Sequence, residues 1–214
     1  MLGLVLSHPH ADHVGGAASV LRWLRPPLLW DPAYAGPTQS YRDALRIAAS
    51  GGSEWRRVVS GDSMRADGVR ITFLAPDSAW TATLDDPNEA SAIALVRYGA
   101  TTMLLTGDAE RGEEDWLLRH AREHLDVDVL KVAHHGSGTS SGASFLDATS
   151  PRLALISVGA ENAYNHPSDE VLARLHERGV RTLRTDLHGA IVVRTDGTDI
   201  SVRNGGGDWL LLPH

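Results

Sequence analysis

The chain has 214 residues, 42% of them hydrophobic, with a formal net charge of −7 and no cysteine. That length buries a sizeable core in one domain, and the lack of cysteine excludes disulfides and thiolate metal sites, leaving His, Asp and Glu as metal-ligand types. The acidic balance argues against a surface that coats nucleic acid, no window is apolar for long enough to span a membrane, and the N-terminus lacks the pattern of a secretion signal.

Residues 2–6 read as an apolar, buried strand. They run directly into Ser7-His8-Pro9-His10-Ala11-Asp12-His13-Val14-Gly15-Gly16. Three imidazoles and a carboxylate gathered this closely are costly to fold around unless a cation compensates them. Neutral imidazole nitrogen and carboxylate oxygen suit zinc, manganese or iron. Alternation along an extended segment turns His8 and His10 toward one ion; Asp12 and His13, past a turn, face a second.

A helix is expected over 17–24, ended by Pro26 and Pro27. A short strand over 28–30 and a helix over 40–50 follow, the latter closed by Gly51-Gly52. Strands are expected over 56–59, 69–74, 92–98 and 102–105, with Asp67-Gly68 and Tyr98-Gly99 as turns. The last of them ends in Thr106-Gly107-Asp108, which puts one carboxylate at a strand terminus within reach of a metal. Glu110 opens a helix over 110–124, where a first-turn carboxylate is favourable.

The strand over 129–132 ends in His134-His135-Gly136. Adjacent strand residues point to opposite faces, so one of the two histidines would ligate while the other contacts substrate or orients a ligand. A short helix over 144–149 and a strand over 153–158 lead to a loop carrying Asn162, Tyr164, Asn165 and His166, groups suited to oxyanion contacts and proton transfer. A helix over 168–178, a strand over 181–184, and a hairpin of 190–194 and 198–202 complete the reading, with 204–214 as a flexible tail. His120, His124, His176, His188 and His214 read as solvated, His188 being the one nearest a candidate site motif, the run from Leu183 to Asp186.

These stretches, each after a strand, together resemble the metallo-β-lactamase superfamily, whose signature is His-x-His-x-Asp-His. Leu105-Thr106-Gly107-Asp108, the run from Leu130 to Ser137, the run from Ile156 to Gly159, Asn165-His166-Pro167 and the run from Leu183 to Asp186 narrow the resemblance. They are similar to the C-terminal hydrolase domain of ComEC-type competence proteins, membrane proteins that import DNA. The resemblance implies an α/β fold, the αββα sandwich, over residues 1–203. Because that fold opens with several strands upstream of the first motif, the sandwich is expected to lack its first N-terminal strands and to leave a sheet edge free.

Carried over by position, the resemblance implies two divalent metal ions, zinc or alternatively manganese. His8 and His10 hold the first, Asp12, His13 and His135 the second, and Asp108 bridges them. Asp12, His134 and His166 are the implied catalytic residues. A water or hydroxide between the ions is the nucleophile, and His134 and His166 stabilise the transition state or protonate the leaving oxygen. No histidine stands between His13 and His120; Asn88 and Ser91 occupy about that region, so the first site is expected to be poorer in protein ligands. The expected activity is metal-dependent phosphodiester hydrolysis with DNA or a small phosphodiester as partner. Alternatives are hydrolysis of small esters, lactones, thioesters or β-lactams, or a non-catalytic metal-bound module that binds DNA or a protein. The expected location is cytoplasmic for a complete chain and membrane-associated for a piece of a ComEC-type protein.

Overall fold

The computed structural model describes residues 1–36, 38–84 and 86–213. In chain order it contains β1 (Leu4–Val5), α1 (Ala11–Val14), α2 (Ala17–Leu24), β2 (Leu28–Asp31), α3 (Gln39–Gly51), β3 (Glu54–Arg57), β4 (Ser63–Ala66) and β5 (Val69–Ala75). There follow α4 (Ser78–Thr81), β6 (Ile93–Tyr98), β7 (Thr101–Leu105), α5 (Arg111–His120), β8 (Val129–Lys131), α6 (Ala143–Thr149) and β9 (Leu153–Ile156). The last elements are α7 (Asp169–Glu177), β10 (Arg181–Arg184), α8 (Thr185–His188), β11 (Ile191–Thr195), β12 (Ile200–Asn204) and β13 (Leu210–Leu211).

The described strands form one seven-stranded sheet in the order β10-β9-β8-β7-β6-β5-β4 and two three-stranded sheets, β1-β2-β3 and β11-β12-β13. From β10 to β7 the large sheet is parallel; from β7 to β4 it is antiparallel. Its outer face packs on α5, α6 and α7 through side chains such as Leu104, Leu117, Leu130, Phe145 and Leu175. Each such fully buried side chain contributes about 1.5–3 kcal/mol. Its inner face meets both small sheets. Trp30, Val58 and Phe73 fill one contact, and Val129, Leu153, Ile200 and Val202 fill the other. The far side of the first small sheet is covered by α2 and α3 through Leu21, Leu29 and Ala44. Helices, sheet, sheet and helices therefore stack as the αββα sandwich, with one inner layer split in two.

The local signals explain most elements. Thr38 Oγ1 accepts the Tyr41 N–H at the start of α3, and Gly52 ends it with φ +80°. Ser168 caps α7 by accepting the Val171 N–H. Asp67 and Gly68, at φ +48° and +85°, make the tight turn that pairs β4 with β5.

Several expectations change. The first strand is shorter than 2–6 and ends at Val5; it pairs with β2 and, among the described residues, leaves its other edge free. The strand β4 was not expected: Ser-Met-Arg-Ala alternates, but it is 4 residues long with Met64 its one large apolar side chain and no β-branched residue, and it is held by pairing with β5. The helix over 110–124 breaks after His120 into a separate 3-10 turn, Arg122–His124. The segment 204–214, expected as a flexible tail, carries β13 on β12, and Leu212 is buried in the adjoining core. His214 lies outside the described residues.

Candidate metal centre

The four stretches singled out in the sequence come together because β7, β8 and β9 run parallel, with their C-terminal ends at one rim of the large sheet. Ligand sites in open α/β sheets form at that rim. The chain leaves β1 with the Leu6 N–H donating to the Trp30 carbonyl at 2.9 Å, and His10 then takes the N-cap position of α1. That short helix was not expected; it swings Asp12 and His13 toward the strand ends. At the end of β7, Gly107 turns with φ +51°. A Cβ there would stand 2.7 Å from Ser91 Oγ, which accepts the Asp108 N–H at 3.0 Å.

His134 and His135 lie beyond β8, in left-handed backbone at φ +45° and +53°. Strand alternation therefore does not decide which of them enters the site. The turn does, at a backbone cost of about 1–2 kcal/mol for each residue. His135 joins the cluster. His134 turns away, its Nδ1 lying 2.9 Å from Glu110 Oε1.

His13 Nε2 and His135 Nε2 face each other at 3.2 Å. Asp108 Oδ2 is 3.2 Å from the first and 3.5 Å from the second, and Asp12 Oδ2 is 3.3 Å from His135 Nε2. One donor atom from each of Asp12, His13, Asp108 and His135 lies within 4.8 Å of the others. Both rings have Nδ1 engaged elsewhere, His13 with Ser7 Oγ at 3.1 Å and His135 with the Ser157 carbonyl at 2.7 Å. Nε2 is thus the atom each presents, the arrangement typical of metal-binding histidine. Asp108 Oδ1 is buried with no hydrogen-bond partner. This donor set fits a divalent cation.

His8 and His10 approach the same place. His8 Nε2 is 3.2 Å from His10 Nδ1 and 3.7 Å from Asp108 Oδ2, so Asp108 reaches His8 as well as His13 and His135, and the His8 and His13 rings lie 4.1 Å apart. Neither His8 nor His10 belongs to the four-donor cluster. His8 is fully buried, with Ser7 and Ser91 hydroxyls 3.3 and 3.5 Å from its Nδ1. Asn88 is buried nearby in sequence, its Oδ1 without a partner.

The electrostatics follow from crowding. Burial, then repulsion from His13, pushes the His8 imidazole down to about 3, so it is neutral at ordinary pH. Burial would raise the Asp108 carboxyl, but hydrogen bonds with His13 and His135 and the charge of Lys131 hold it well below the usual carboxylate range. The hydrogen bond with Asp108 raises His135. Burial and the neighbouring His134 and His135 lower His166.

A cleft of about 430 Å³ opens beside the cluster, lined by Asp12, His135, Ser157, Val158, Gly159, Asn162, Tyr164, His166 and Thr185. Tyr164, 80% exposed, stacks on His166 with rings 5.8 Å apart and 17° from parallel. Asn162 does not face the cleft with a free amide, as expected from sequence. Its Nδ2 donates to the Gly159 and His166 carbonyls and its Oδ1 accepts the His166 N–H at 2.9 Å. It braces the loop. Arg184 is occupied by Asp186. His188, half-buried, turns Nδ1 to the backbone of Arg184; His120, His124 and His176 are exposed.

Sequence reasoning missed Ser7, Glu110 as the partner of His134, and Lys131, whose Nζ donates to the Gly107 carbonyl at 2.8 Å and lies 3.8 Å from Asp108 Oδ1. Lys131 did carry a signal: it is the one charge in the apolar run from Val129 to Ala133.

The family model of the metallo-β-lactamase superfamily matches residues 2–160. The chain is 37% identical over 188 residues to competence protein ComA of Neisseria gonorrhoeae, covering 88% of this chain and 24% of that protein. It is 32% identical over 192 residues to ComE operon protein 3 of Bacillus subtilis, covering 89% and 24%. It thus spans about a quarter of the length of these curated relatives. Among solved structures, CmlA, a diiron β-hydroxylase from Streptomyces venezuelae, aligns with TM-score 0.61 at 15% identity over 85% of this chain and 43% of that one. Tm1679, a metal-dependent hydrolase of the β-lactamase superfamily, aligns with TM-score 0.54 at 13% identity over 84% and 75%. These two likenesses show the fold. No described helix is long and apolar enough to cross a membrane.

Proposed function

The chain belongs to the metallo-β-lactamase superfamily, and from that premise we propose that this metal-dependent hydrolase, related to competence proteins, cleaves phosphodiester bonds of DNA or of a small nucleotide. The observation that carries the reading is the cleft that joins the His/Asp cluster to His166 and Tyr164. A phosphoryl group beside Asp12 and His135 has His166 within the same cleft, and a base attached to it meets the exposed ring of Tyr164.

Asp12, His13, Asp108 and His135 would hold one divalent ion, and His8 and His10, sharing Asp108, a second; zinc is our assignment, with manganese the alternative. Ions there supply Lewis-acid polarisation of a phosphoryl oxygen and lower the pKa of water. The rest belongs to the chain. Ser7 and the Ser157 carbonyl fix the His13 and His135 rings through Nδ1. His134, held toward Glu110, has its ring 5.7 Å from that of His166; these two are the groups we assign to hold a proton for the leaving oxygen. Asn162 keeps His166 at the cleft.

The test is turnover of bis-p-nitrophenyl phosphate, a single-stranded oligonucleotide and nitrocefin by the purified chain with zinc or manganese. We expect metal-dependent cleavage of both phosphodiesters, abolished by Asp12→Ala and Asp108→Ala. Turnover of nitrocefin alone would move the reading to small-ester or lactam hydrolysis, and bound metal with no turnover would end the hydrolase reading.

A further inference from the structure

Away from the metal-centre rim, three arginines stand in a row across the large sheet. Arg65 of β4 lies opposite Arg70 of β5, and Arg70 lies opposite Arg97 of β6. Strands are about 4.8 Å apart, so the three stems leave the sheet within about 10 Å. Leu95, two residues before Arg97, belongs to the helix-side core, so alternation puts the row on that face; all three arginines are nonetheless exposed.

They line one broad cleft of about 460 Å³ with Asp67, Gly68, Val69 and Gly99. The lining holds three guanidinium charges against one carboxylate, and no described acidic residue pairs with any of the three. The next position along the register is Thr102, whose N–H and hydroxyl donate to Asp128 at 2.8 and 3.1 Å. Asp128 is also taken by Arg152 at 2.8 Å; with Asp126 it lines an adjoining cleft that Arg97 borders, so the acidic groups near the row lie at its β7 end. Like charges directly opposite across strands repel, and a bound polyanion removes that repulsion.

We propose that this row binds the phosphate backbone of a nucleic-acid strand, at a site separate from the hydrolytic centre. Guanidinium forks match phosphate oxygens in pairs, and an evenly spaced row fits a run of phosphates better than a single anion. The lining has no aromatic ring and no amide, so it holds backbone rather than reading bases. The choice of nucleic acid among phosphate polymers rests on the phosphodiester reading above. Arg97 is six residues of chain from Ser91, which touches Asp108; that is about 20 Å of extended chain. A small phosphodiester in the metal centre does not reach the row, whereas a long strand can occupy both.

The experiment measures anisotropy of a labelled 20-mer oligonucleotide with the full chain and with the triple variant Arg65→Gln, Arg70→Gln, Arg97→Gln, in chelator, across a salt series. Three lost phosphate contacts on a single strand should reduce the slope of log affinity against log salt by about 2. Affinity at low salt should fall about tenfold or more, while the triple Lys variant keeps most of both and thermal unfolding shows the variants folded. Turnover of bis-p-nitrophenyl phosphate should be unchanged and the oligonucleotide KM raised. Equal affinity and slope in wild type and the Gln variant would overturn the proposal. So would binding of phosphatidylglycerol vesicles or inorganic polyphosphate, but not the oligonucleotide, to the wild type. If the slope falls as expected but no phosphodiester is cleaved, the row stands and the hydrolase reading falls.

Discussion

Ser7 Oγ sits 3.1 Å from Nδ1 of His13 and 3.3 Å from Nδ1 of His8, so one hydroxyl orients a ring in each histidine pair. Partners of this kind typically change metal affinity 10–100-fold. Ser7→Ala should therefore weaken divalent-metal binding by at least about tenfold with little loss of fold, measured by competition against a chromogenic chelator. Wild-type affinity in the variant would show that the rings are held by packing alone. At this scale Asp12, His13 and Asp108 were legible as donors that gather in one cluster, because ligand chemistry belongs to the residue. Ser7 was not: a hydroxyl next to a histidine in sequence is common, and its contact with His13 exists only once α1 turns back.

The loop from Lys131 to Ser137 belongs to the scale of elements. Gly136 has φ +85°, and a Cβ there would lie 2.5 Å from Pro167 Cβ. Its carbonyl accepts the Ser168 N–H at 2.8 Å, tying the histidine turn to the start of α7. Gly136→Ala is strained by backbone and by contact, and should cost at least about 1 kcal/mol. It should also weaken metal binding, since any relief displaces His135; chemical denaturation and metal titration of the same sample check both. The apolar strands over 69–74, 92–98 and 102–105 were legible from pattern. β4 and β13 were not, because their pairing is supplied by β5 and β12 rather than by their own composition. The histidine pair shows the same limit: alternation predicted one inward residue, but the left-handed turn chose which.

Over the whole molecule, Glu114 links α5 to the loop before α6. Its carboxylate accepts the N–H of Ser141 and that of Gly142. Burial raises it from its ordinary 4.5 to about 7, against the pull of those two N–H groups and of Arg111. Between those values the folded chain keeps a proton that the unfolded chain has released. Stability contributed by this group is therefore complete below about pH 4.5 and is lost as pH rises to about 7. The loss is roughly 3 kcal/mol, at about 1.4 kcal/mol per pH unit. With chelator present, Glu114→Gln should remove that part of the fall across pH 4.5–7 in denaturant unfolding. Parallel curves for wild type and variant would show that Glu114 is ionised in both states. What the sequence alone determined was the inventory, the donor types and their place after strands in an alternation of strands and helices, since apolar period and ligand chemistry are written locally; the αββα sandwich followed from the family resemblance of those motifs. The tertiary structure decided convergence. His13 and His135 meet across 122 positions, and Arg65, Arg70 and Arg97 align across three strands. Both depend on strand register and on turns at positive φ, which pairing across the sheet sets and no local pattern encodes.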